Sequence, residues 1–154
     1  MNQEEKLSTI ESLLQRPYWI IDLLPCQVPA HSPGQYFAIE QYWLNPAYAP
    51  AMRQRYADLL LRLNCYYDLD ILPSSYSEEY NPPPEKLVQM ISGLHGQLDI
   101  LVGQGDCLIT LDSSDTYATV YNPDSTFLTL LRQLAASAGL FVWQPEQFDK
   151  GKVE

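Results

Sequence analysis

Basic residues are scarce in this chain: 9 Lys and Arg stand against 19 Asp and Glu, for a formal charge of −10. Such a balance repels phosphate backbones and anionic lipid surfaces, so neither nucleic acid nor a membrane is an expected partner. Histidine is limited to His31 and His95, neither with a metal-ligand residue at helical or hairpin spacing, so no metal site is predicted. Cys26, Cys65 and Cys107 are odd in number and far apart. They fit neither a disulfide framework nor a zinc ribbon, and reduced thiols are expected. No segment approaches the ~18 consecutive apolar residues of a membrane span; Asp22, Pro25 and Asp99 interrupt the strongest candidates. The opening Met-Asn-Gln-Glu-Glu-Lys lacks the basic region and apolar run of a secretory signal, and a cytoplasmic protein is expected.

What is present is apolar material for a core, 46% of 154 residues, a length suited to one domain. Leu7, Ile10, Leu13 and Leu14 recur at helical spacing over residues 2–15, with Asn2 and Glu5 placed as a capping box. Tyr18–Leu24, β-branched and aromatic between Pro17 and Pro25, predicts a buried strand. Gln35–Leu44 is also aromatic-rich and is expected as a second strand pairing with the first across the intervening loop. Tyr48, Met52, Tyr56, Leu59, Leu60 and Leu63 form one stripe of an amphipathic helix within 45–64.

Residues 65–72 revert to period two, Tyr67, Leu69 and Ile71 facing one way and Tyr66, Asp68 and Asp70 the other. A long Pro-, Tyr- and acid-bearing loop spans 73–85, and 85–94 predicts a short helix. A meander of three strands follows over 98–121, turning at Gly103-Gln104-Gly105 and at Asp112–Asp115. Asn122-Pro123-Asp124 announces a helix with Asn122 as its cap, Leu140–Trp143 is a closing strand, and 146–154 reads as a polar tail. This order predicts a single α+β domain over 1–154: a mostly antiparallel sheet of five to six strands, with helices packed mainly on one face.

No chemical motif stands out. Gly103-Gln104-Gly105 has no third glycine and no lysine, and runs into Asp106, so it is a hairpin turn rather than a phosphate cradle. Cys107 sits in an apolar strand, where a thiol is inert. Asp68 and Asp70 share a strand face, but a hard cation needs several more oxygens. No catalytic residue and no cofactor is assigned, and a non-enzymatic role is preferred.

The charge distribution is the informative feature. Residues 64–131 contain ten acids and a single base, Lys86, and so carry −9 of the −10. Several of these acids alternate with tyrosines. Tyr66, Asp68, Asp70, Tyr76, Glu78, Glu79 and Tyr80 therefore form the expected partner-binding set, since tyrosine supplies rigid contact area and carboxylates steer a basic partner. The expected function is docking of a basic protein, with an immunity-type inhibitor of a basic nuclease as one instance. Two alternatives are an enzyme or small-ligand domain with a pocket lined by Trp19, Tyr36, Tyr42 and Trp43, and a homo-oligomeric structural subunit.

Overall fold

The computed structural model describes residues 1–74 and 77–148. Seven strands form one antiparallel sheet: β1 (Tyr18–Asp22), β2 (Leu69–Pro73), β3 (Glu79–Tyr80), β4 (Gln97–Val102), β5 (Cys107–Asp112), β6 (Ala118–Tyr121) and β7 (Phe141–Trp143). Their spatial order is β3-β2-β4-β5-β6-β1-β7. The helices are α1 (Gln3–Leu13), α2 (Tyr36–Leu44), α3 (Ala49–Asn64), α4 (Pro84–Ser92) and α5 (Ser125–Ser137). The α+β class and the β4-β5-β6 meander agree with the sequence pattern. The strand count is seven rather than five to six, because the segment expected as an unbroken loop contributes β3 to the sheet edge.

Period-two alternation sorts the sheet into two faces. Leu69, Ile71, Leu98, Ile100, Val102, Cys107, Ile109, Leu111, Ala118, Val120 and Ile21 point to one side, where the stripe Met52, Tyr56, Leu59, Leu60, Leu63 of α3 covers them. Leu87 and Ile91 of α4, and Phe127, Leu131 and Ala135 of α5, flank that stripe in the same core. On the other side α1 lies against the sheet, Ile10 and Leu13 packing on Leu101 and Leu108.

Local signals account for most boundaries. Asn2 and Glu5 close the expected capping box. Gly103 and Gly105 turn β4 into β5 at φ 66° and 89°, a region that glycine enters without steric cost. The cap of α5 is Asp124, which accepts from Phe127 N at 2.8 Å, two residues beyond the expected Asn122. Asn122 instead takes a left-handed turn at φ 61° and donates to Asp106 O at 3.0 Å.

One expectation is overturned: Tyr36–Leu44 is helical and pairs with nothing. Both edges of β1 are occupied, by β6 and β7, leaving no ladder for another strand. Its half-buried residues Tyr36, Glu40, Trp43 and Leu44 follow a helical i, i+4, i+7, i+8 stripe. Aromatic β-propensity had outweighed that spacing.

Two polar anchors tie α3 to the far end of the sheet. The buried Tyr56 hydroxyl donates to Thr116 O at 2.7 Å, with Ile21 O also near at 3.2 Å. Arg53, 5% exposed, donates to Ser113 O at 2.7 Å and Asp115 O at 3.3 Å, so the Asp112–Asp115 turn is held from inside. Tyr56→Phe strands the paired carbonyls and is expected to lower stability by about 1–3 kcal/mol. Urea unfolding should show this as a lower midpoint at unchanged slope.

Candidate functional site

The second sheet face is only partly covered, and its cross-strand rows show what is left open. One row runs Asp70, Leu101, Leu108, Tyr121, Tyr18, and α1 packs along its middle. The next runs Leu72, Asp99, Thr110, Thr119, Ile20, Trp143. Asp22 projects from this face one pleat beyond Ile20, opposite Phe141. Beyond α1 the face is a groove of about 510 Å³ lined by Tyr18, Ile20, Asp22, Tyr36, Tyr117, Thr119, Tyr121 and Trp143, with Gln27, Val28, Pro145 and Gln147 at its rim. A second hollow of about 220 Å³ shares Tyr117, Thr119 and Tyr121 and continues to Asp112, Asp115 and Gln97. No Lys, Arg or His lines either hollow among the described residues.

Asp22 lies at the bottom of the groove, 8% exposed. Its Oδ1 accepts from Leu23 N at 2.7 Å and its Oδ2 from the Trp143 indole N–H at 3.3 Å. Burial raises its carboxyl above the ordinary 3.8, against these hydrogen bonds. Asp99 is raised by burial and opposed only by Gln97. Asp115 is raised by burial first, then by Asp112 and Glu40, against Arg53. Tyr36 is pushed up to about 12, by burial first and then by Glu40 and Asp22. Its hydroxyl hydrogen-bonds Glu40 one helical turn along α2 at 3.2 Å. Three half-buried to buried carboxyls thus share one aromatic face, and its electrostatics favour an incoming cation.

The expected partner-binding set lies at the other end of the sheet, around the β2–β3 edge. There two lysines of the chain pair with three of the set's four carboxylates. Lys6 of α1 bonds Asp70 at 2.9 Å and also Glu78, while Lys86 bonds Glu79 at 2.8 Å. Asp70 is raised by burial first and then by Glu78, whereas Glu78 is lowered by its hydrogen bonds to Asp70 and Lys6. Asn81 donates to Asp68 at 2.8 Å, receives Leu69 N at 2.8 Å and takes φ 44°. It clasps the start of β2 to the chain beyond β3. Tyr66 and Tyr80 are exposed; Tyr76 lies outside the described residues, as do residues 149–154 of the expected tail. Glu146–Phe148 form a single 3-10 turn.

The four aromatics expected around a pocket do not meet. Tyr36 lines the groove, whereas Trp19 faces the opposite side of the sheet with the Arg132 guanidinium 4.9 Å from its ring. Trp43 packs on the main core, and Tyr42 is exposed and stacked on Tyr48 at 4.2 Å. His31 and His95 are exposed, and burial pushes the Cys107 thiol up to about 12. No group of three or more His, Cys, Asp or Glu residues is arranged to hold a metal ion among the described residues, and no helix among them is long and apolar enough to cross a membrane.

The sequence pattern assigns no site role to the lining residues Asp22, Asp115, Tyr117, Tyr121 and Trp143, nor to Glu40 and Asp99 near them. Their signal was the outward set of each strand, Tyr18-Ile20-Asp22 and Tyr117-Thr119-Tyr121, which is polar and aromatic where a solvent face of small polar residues is ordinary. Comparison with family models, curated proteins and solved structures finds no match for the chain.

Because the folded state raises the Asp22 pKa, it binds this proton more tightly than the unfolded chain does. Its contribution to stability therefore falls as pH rises from the ordinary carboxylate value through the raised one. The stability of the wild type relative to Asp22→Asn is expected to be greatest in acid, to decline across that window, and to level off above it. Urea melts of both proteins between about pH 4 and 8 measure the difference. A gap that widens in favour of the wild type with rising pH contradicts the assignment.

Proposed function

We propose that the protein is a non-catalytic interaction domain that docks a basic protein partner through the acidic, aromatic face of its sheet. The observation that carries this reading is the groove holding Asp22, with Asp115 in the adjoining hollow and no Lys, Arg or His among the described residues that line either. Burying carboxylates without a counter-charge is costly, and a partner's Lys or Arg side chains supply that charge on binding. Tyrosine and tryptophan walls suit such an interface because they bury large area at small entropic cost. Tyr66, Asp68, Asp70, Tyr76, Glu78, Glu79 and Tyr80 then serve as an acidic rim that steers the encounter, since exposed charges act mainly on association rate. The free cysteines, two of them exposed, support a reducing, cytoplasmic setting.

A second reading, a small-ligand groove, draws on the same hollow of about 510 Å³ and its aromatic lining. It predicts thermal stabilisation by a small neutral molecule, and docking does not.

The test is capture from the source lysate with three folded baits: wild type, a groove variant carrying Asp22→Asn and Asp115→Asn, and a rim variant carrying Asp68→Asn, Glu78→Gln and Glu79→Gln. A basic protein retained by the wild type, released by salt, and bound about tenfold or more weakly by the groove variant is the expected result. The rim variant should lose association rate at low salt and little else. Identical recovery by wild type and groove variant overturns the proposal.

A further inference from the structure

The Asp22 end of the groove has properties that select among cations, and an inference drawn from them rests on the docking reading above. The carboxylate of Asp22 lies at the floor of a hollow of about 510 Å³. Hydrogen bonds to Leu23 N and the Trp143 indole fix its orientation while leaving lone pairs open, since a carboxylate offers about four acceptor sites. Tyr36, Tyr117 and Trp143 form flat walls around it. Glu40 of α2 accepts from the Tyr36 hydroxyl at 3.2 Å and is near enough to act electrostatically on Asp22, Tyr36, Asp115 and Tyr117.

A lysine ammonium is compact and strongly hydrated, and entering an aromatic slot strips that hydration. A guanidinium is planar and weakly hydrated. It stacks on rings while its edge donates to carboxylates. The chain treats its own arginines this way: Arg132 lies over Trp19, and Arg53 is buried with its donors on turn carbonyls. We infer that the Asp22 pocket is an arginine socket, taking the guanidinium of one Arg side chain on a basic segment of the partner, with Tyr36, Tyr117 and Trp143 as its walls.

The indole N–H of Trp143 donates to Asp22, so it reports directly on that carboxylate. The probe is N-acetyl-arginine amide, titrated into the ¹⁵N-labelled full chain, with the lysine and citrulline analogues as parallel arms. Trp143→Phe identifies its resonance among the three indoles. The expected result is a saturable shift of the Trp143 indole with the arginine compound, about tenfold weaker binding of the lysine compound and no response to citrulline. Asp22→Asn should abolish the shift, and Asp68→Asn should leave it intact.

Equal responses to arginine and lysine, or any response to citrulline, overturn the inference. These two arms need no variant, so the test stands even if Asp22→Asn fails to fold. A ligand-free Trp143 resonance that moves on Lys150→Ala and Lys152→Ala also overturns it, because the chain's own lysines then occupy the socket. Failure here with groove-dependent capture retained removes the arginine socket alone. Failure of both removes the docking function itself.

Discussion

A seven-stranded sheet has two faces, and this chain has helices enough to bury only one of them. Seven strands at their usual spacing span about 29 Å, and a single helix with its side chains covers about 10 Å. On the core side α3, α4 and α5 lie abreast and exclude water from the whole width. On the other side α1 covers the neighbourhood of Leu101 and Leu108, and everything beyond it depends on loops and on the thinly packed α2. The groove is a consequence of that shortfall. It occupies the part of the second face that no regular element seals.

Electrostatics follow from the same arrangement. Several of the described bases are placed where folding uses them: Lys6 between Asp70 and Glu78, Arg53 on the carbonyls of the Asp112–Asp115 turn, Arg55 on Gly139 O, Arg132 over Trp19. Each secures a helix or a turn against the rest of the fold. The result is an asymmetric surface. Acids at the β2–β3 edge find partners within the chain, whereas Asp22, Asp99 and Asp115 sit on a face of tyrosines with their carboxyls driven toward the protonated form by burial. A surface of this kind holds its binding potential in reserve, since the unfavourable desolvation is already present before a cation arrives.

Much of the fold was legible residue by residue. The stripe from Met52 to Leu63, the capping box of Asn2 and Glu5, and the glycine turn at 103–105 each act within one or two turns of chain, so local spacing reveals them. Tyr36–Leu44 was misread because aromatic content and helical spacing point in opposite directions there, and only the occupied edges of β1 decide between them. The candidate site was legible in kind rather than in place. An acidic, tyrosine-rich surface was evident from composition, but the acids adjacent in sequence, Asp68, Asp70, Glu78 and Glu79, are largely the ones the fold pairs with lysines. The carboxyls that share the open face come from β1, β4 and the turn before β6, too far apart in sequence for any spacing rule to connect.

The sequence by itself determined the α+β class, the excess of acid, the apolar stripe of α3 and most helix ends, because hydrophobic period and capping are short-range physics. Tertiary structure decided the strand order, in which β1 enters between β6 and β7 and so sets Asp22 beside Trp143 and Thr119. It also decided which carboxylates meet a lysine and which do not. Those outcomes depend on pairing between segments up to about 120 residues apart, as between Asp22 and Trp143. Such pairing is selected by the burial of whole faces rather than by any local preference.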